Sequence, residues 1–437
     1  MLKFISYIVL LGISFYLFFN AGESNSLFIE LEFLVISLFS VFRLYKDENL
    51  PYSLQKVFYL FSFFFFGIAP WLQFRKGVKI WTLEPLIPDD YWVTNFYILV
   101  FIFLFALIYD LCRGRNLYYR EFVYREKYAF SIKGGLVLSL VSLSVLYVYL
   151  YINKFNLFSL FLRGGELIAD SQLSNMTLWL IIEVILRPIP IFIALFYHLS
   201  KNKNLGVEVF LFLIGIIMAF PTAIARYQVA VLYIPIMILL IPFLSKKNIF
   251  VTSVITGILI FFPFLNQFRN YKIGKNLSLS PDFSMFLEGH FDAYQNFLLV
   301  LKHDIVTYGK QLLGVFVFFV PRSLWEEKPT GSGFFLSEKL NLSFSNISMT
   351  FPAEGYINAG FVGFILFVVV VSVFCSRVDT VFWSKGERTI TGTMQYLVLL
   401  GMTFFILRGD LQSSFAYLIG ILFSIYVVRF LIEKLSL

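Results

Sequence analysis

At 437 residues and 50.8 kDa, with 59% hydrophobic and only 14% charged residues, the chain lies outside the range of soluble domains, where apolar residues run to about 45–50% and charged ones to about 25%. Its formal charge of +8 does not point to nucleic acid, because the basic residues sit between apolar blocks, where membrane orientation accounts for them. Cys112 and Cys375 stand alone and give no disulfide framework or zinc site, and three histidines in all argue against a His-based metal centre.

The apolar residues come in blocks of roughly 18 to 24, each long enough to cross a hydrocarbon core of ~30 Å as a helix. This predicts an all-α polytopic membrane protein forming a single integral membrane domain over 1–437. Twelve spans are expected, near 2–20, 27–42, 53–73, 92–112, 134–153, 176–200, 207–225, 228–245, 248–265, 353–376, 390–407 and 411–431. Met1 to Asn20 resembles a signal peptide, with Lys3 ahead of an apolar run and small residues at Ala21 and Gly22, but it is expected to stay as the first helix. With the N-terminus inside, the inner segments carry 19 basic residues and the short outer segments 7, so both termini are expected in the cytoplasm.

Further along, Asp89 after Pro88 is expected to cap the fourth span. Glu183 and Arg187 in the sixth lie one turn apart and should pair, close to the breaks at Pro188 and Pro190. The outer segment 266–352 exceeds every other connection, and a long loop in a compact protein is usually functional or disordered. Met285 to Leu301 has helical spacing, and Gln311 to Val320 is an apolar run too short to span, hence re-entrant, interfacial or buried under the loop. The loop is expected to fold down over the outer helix ends.

Arginine at a membrane edge is costly, which singles out Arg226 in the turn Phe220 to Gln228, Arg269 after the ninth span, Arg322 after the apolar run and Arg408 at the end of the eleventh span. Each alone could snorkel to lipid phosphates. Four together on the side where positive charge is normally avoided suit a pyrophosphate, which guanidinium groups grip through paired, charge-assisted hydrogen bonds. Outside the cytoplasm a pyrophosphate is expected on a polyprenyl lipid carrier, and no nucleotide-binding motif is present. Candidate acid–base groups are Glu354, which opens the tenth span and could equally serve as a helix cap, and His290 in Gly289-His290-Phe291-Asp292. His198 lies near the inner side, and His303 beside Asp304 is expected to be solvated. No acidic cluster has the ligand count for a divalent metal, and no cofactor is expected.

The order of Arg226, a large outer loop with Pro321-Arg322-Ser323-Leu324-Trp325 and Lys328-Pro329, then Glu354-Gly355-Tyr356-Ile357-Asn358 and Arg408-Gly409-Asp410, resembles the Wzy-type O-antigen and repeat-unit polymerases. The architecture covers about 60 to 430, and the short local motifs only the last half. The resemblance implies a GT-C-like, metal-independent glycosyltransferase of the bacterial inner membrane. It would polymerise undecaprenyl-pyrophosphate-linked oligosaccharides on the periplasmic side, with a chain-length regulator as possible partner. By similarity Arg226, Arg269 and Arg322 would hold the pyrophosphate, with Arg408 beside them, while Glu354 or His290 takes the proton of the attacking hydroxyl. An O-antigen ligase and a lipid-linked oligosaccharide flippase are the competing readings.

Overall fold

The computed structural model describes residues 2–19, 26–46, 50–114, 117–119, 121–125, 128–163, 180–246, 248–261, 283–320 and 322–436. The described chain is mostly helical: α1 Leu2–Phe19, α2 Leu27–Lys46, α3 Leu54–Arg75, α4 Pro88–Cys112, α5 Ile132–Ile152, α6 Ile189–His198, α7 Leu205–Met218, α8 Arg226–Leu240, α9 Ile249–Ile260, α10 Ala293–Lys302, α11 Lys310–Phe316, α12 Ser332–Leu340, α13 Phe351–Ser384, α14 Ile390–Arg408 and α15 Leu411–Leu435. Six of these, α3, α4, α5, α13, α14 and α15, are long and apolar enough to cross a membrane. Helix overlaps every one of the twelve apolar blocks, but α1, α2 and α6 to α9 do not meet the length and hydropathy of a span, so among the described residues six of the twelve expected spans are met. The chain is an all-α protein of membrane-spanning type. The sheet among described residues is one parallel pair, β1 Val123–Tyr124 on β2 Glu387–Arg388.

The interior is built on α3, whose residues are buried almost throughout and which widens to a π-helix over Ser62–Ile68. Its first turn is held from α13: Asp379 accepts the backbone N–H groups of Leu54 and Gln55 and the hydroxyls of Tyr109 and Tyr396. A carboxylate in that place satisfies helix-end donors that would otherwise be orphaned in an apolar core. At the same end, Arg388 is 3% exposed and is boxed by the rings of Phe122, Phe382 and Trp383 at 4.7–5.4 Å, with Nε donating to the Phe382 carbonyl.

Two features carry the opposite end. Helices α8 and α14 run antiparallel in close contact, because Gly401 admits the Val231 backbone; a Cβ there would meet Val231 Cα at 2.7 Å. Tyr227 therefore stacks on Phe405 at 4.2 Å, and Arg226 and Arg408 lie at one end. The second feature is a break in α13, expected from sequence to be continuous. Ala359 and Gly360 leave helical geometry, Gly360 with φ +58°, and the arm Phe351 to Asn358 is packed so closely on the helix beyond that a Cβ on Gly355 would meet the Gly363 carbonyl at 2.7 Å. Thr307 and Gly309 donate to the Ile357 and Asn358 carbonyls that this break frees, at 2.6 and 2.8 Å.

Candidate functional site

The arm of α13 delivers Glu354 to the junction of α14, α15 and α12. Its carboxylate accepts the Leu411 N–H at 2.9 Å and the Ser332 hydroxyl at 2.6 Å, and it is 1% exposed. Glu354 is thus a cap, as one reading of the sequence allowed, but of α15; its own helix is capped by Thr350. Asp410 faces it, accepting the N–H groups of Ser413 at 3.0 Å and Gly333 at 3.1 Å. Two carboxylates and the starts of two helices, α12 and α15, meet here, so helix-end donors stabilise charge that burial opposes. Burial holds the Asp410 carboxyl above the usual carboxylate range, offset in part by the Ser413 and Gly333 donors.

Arg408 does not pair with Asp410, two residues along the chain. Its Nε and Nη2 donate to the His290 and Gly289 carbonyls at 2.9 and 3.1 Å, and Nη2 bridges to Asp292 at 3.2 Å. Asp292, 1% exposed, also accepts from Trp81 Nε1 at 2.8 Å and from Ser348. The predicted loop helix over Met285 to Leu301 consists of two short 3₁₀ turns followed by α10, and its start is pinned to Arg408. His290 is brought to this end, with its imidazole 3.9 Å from Glu288.

Arg322 is exposed and donates to the Lys328 carbonyl at 3.0 Å, while Lys328 turns its ammonium inward onto the Phe318 and Val320 carbonyls. Burial, with Arg322 beside it, holds Lys328 below the ordinary lysine range. Arg226, Arg322, Arg408, His290 and Glu354 thus share one end of the molecule, and Arg269 lies outside the described residues. Sequence reasoning missed Asp292 as the partner of Arg408, and Asp410 as an acid facing Glu354.

Elsewhere, Glu183 and Arg187 pair as expected at 2.8 Å, and Arg187 also reaches the Met218 carbonyl. The fourth span is capped by Asp90, which accepts the Ile87 N–H and binds Lys302, and not by Asp89. His303 is not simply solvated: it is bonded to Glu84 at 2.9 Å. Among the described residues no group of three or more His, Cys, Asp or Glu is placed to hold a metal ion. No protein-family model matches the chain, and no curated protein or solved structure shows significant similarity to it.

Proposed function

We propose that this chain is a metal-independent, GT-C-like membrane glycosyltransferase of the Wzy type, with twelve spans, cytoplasmic termini and residues 266–352 on the periplasmic face of a bacterial inner membrane. It polymerises undecaprenyl-pyrophosphate-linked oligosaccharide units, transferring the growing chain from its lipid pyrophosphate to a sugar hydroxyl of the next unit. The observation that carries the reading is the placement, at one end of the helix bundle, of Arg226, Arg322 and Arg408 with the buried carboxylates Glu354 and Asp410.

In such a transfer the bond from the anomeric carbon to pyrophosphate breaks as the acceptor hydroxyl attacks. Negative charge grows on the leaving group, where preorganised guanidinium groups lower the barrier. The acceptor hydroxyl gives up its proton to a carboxylate or imidazole within hydrogen-bond reach. Glu354 already receives one hydroxyl, that of Ser332 at 2.6 Å, so Ser332 stands where an acceptor sugar hydroxyl would donate once the start of α12 moves aside. In-line displacement inverts the anomeric configuration. Arg226→Lys and Arg322→Lys keep the charge and lose the fork. Each should leave single repeats on lipid A in place of polymer, at normal protein level. Polymer of normal length from both would overturn the pyrophosphate grip. Deleting the protein from its host separates the competing enzymes and transporter: polymer left on undecaprenyl marks a ligase, and cytoplasmic accumulation a flippase.

A further inference from the structure

Between Lys310 and Leu324, in the connection between α10 and α12, the chain exposes apolar side chains. Leu313 is 49% exposed, Phe316 60%, Phe319 70% and Leu324 80%, which is far more than a water-facing loop shows in so short a stretch. We propose that this segment is a sill immersed in the bilayer leaflet at the α15 N-terminal end, at the boundary of hydrocarbon and head groups.

Three observations commit it to lipid. The first is continuity: α11 packs on both α13 and α15, and outward residues of those helices, Phe361 and Val362 past the α13 break and Ile419 in the first half of α15, are also exposed and apolar. The second is depth. With 25 residues at ~1.5 Å each, α15 is about 37 Å long against a core of ~30 Å, so roughly 3–4 Å projects at each end. Phe415 lies about 6 Å along the helix from Leu411, and Phe316 and Phe318 pack on it at 6.2 and 6.1 Å. The sill therefore sits just below the edge of the core. The third is charge: Lys310 and Arg322, both exposed, bracket Leu313, Phe316 and Phe319, as cationic side chains do where they reach lipid phosphates from an interfacial segment. Because Phe415 is only a turn from Leu411 and Glu354, a lipid-linked substrate would meet the acid pair from the bilayer side. That consequence rests on the proposed function; the immersion does not.

The test is collisional quenching on the full chain in nanodiscs. Single cysteines replace Leu313, Phe319 or Leu324 in a protein whose Cys112 and Cys375 are Ala, and each is labelled with an environment-sensitive fluorophore. Leu83, 91% exposed in the α3–α4 connection, serves as comparator. Phosphatidylcholine brominated on its acyl chains should quench Phe319→Cys and Leu324→Cys at least twofold more than Leu83→Cys. Quenching no greater than at Leu83 overturns the sill. Leu313→Cys is a third, independent position should one labelled variant fail to insert. Strong quenching together with polymer left on undecaprenyl in a host deleted for the protein would sink the proposed function and leave the sill standing.

Discussion

Gly333→Ala is the sharpest perturbation available at the acid pair. A Cβ at this position overlaps the Ile347 backbone carbonyl, and that carbonyl has little room to yield. The next residue, Ser348, is tied on three counts, through its N–H and hydroxyl to Asp292 and through its carbonyl to Asn296 at 2.7 Å. The start of α12 must therefore move instead. Doing so breaks the bond from Gly333 N–H to Asp410 and the bond from Ser332 to Glu354. Each is a hydrogen bond to a carboxylate, contributing about 1.5–3 kcal/mol, so docking of the loop on the acid pair should weaken by roughly 3–6 kcal/mol. At ~1.4 kcal/mol per factor of ten, the undocked fraction rises at least a hundredfold. Limited proteolysis in nanodiscs between Leu324 and Ser332 measures this, with cleavage expected to accelerate by that factor while helical content is unchanged. Gly12→Ala, whose Cβ has open space, should be neutral. Cleavage of Gly333→Ala at the wild-type rate would refute the account of how the loop is held.

Replacing Glu354 by Gln should cut polymerisation roughly 10²–10⁴-fold if it takes the acceptor proton, whereas Ser332→Ala, which only vacates the hydroxyl position, should retain polymer; polymer chain length on gels separates the two. Asp410 has its pKa raised in the fold, so its contribution to loop docking is fully present below the unfolded value near 3.8 and is lost as the pH rises through the raised one; proteolysis should quicken over that window in the wild type, and Asp410→Asn, weaker throughout, should lose the pH dependence. Activity of the purified protein should persist in excess EDTA, and loss restored by manganese would direct attention to Asp89 and Asp90. Single cysteines at Ser280, which lies outside the described residues, and at Ser384 should be labelled by an impermeant reagent in intact cells only at the former.

Helix positions were legible because an apolar block is a property of neighbours in the chain, and length and composition suffice to read it. The break in α13 was hidden for the same reason: Ala359 and Gly360 fall within a block that length and composition read as one span, and only packing against the loop at Thr307 and Gly309 reveals that the arm turns back. Arg226, Arg322, Arg408 and Glu354 could be gathered from sequence because each ends or opens an apolar block. Their partners could not. Arg408 finds Asp292, more than a hundred residues away, in preference to Asp410 two residues away, since α15 takes Asp410 for its own first turn.

Arg388 leads a double life set by time. In the proposed orientation it is among the basic residues that keep their end of the chain in the cytoplasm during insertion, and a charge can act that way only while water still surrounds it. In the finished protein three aromatic rings enclose it. Desolvation must then come after orientation, once the segment around Phe122 has met the one around Phe382. The parallel pairing of Val123 and Tyr124 with Glu387 and Arg388 holds those two segments together, so this small ribbon keeps the box around the charge closed.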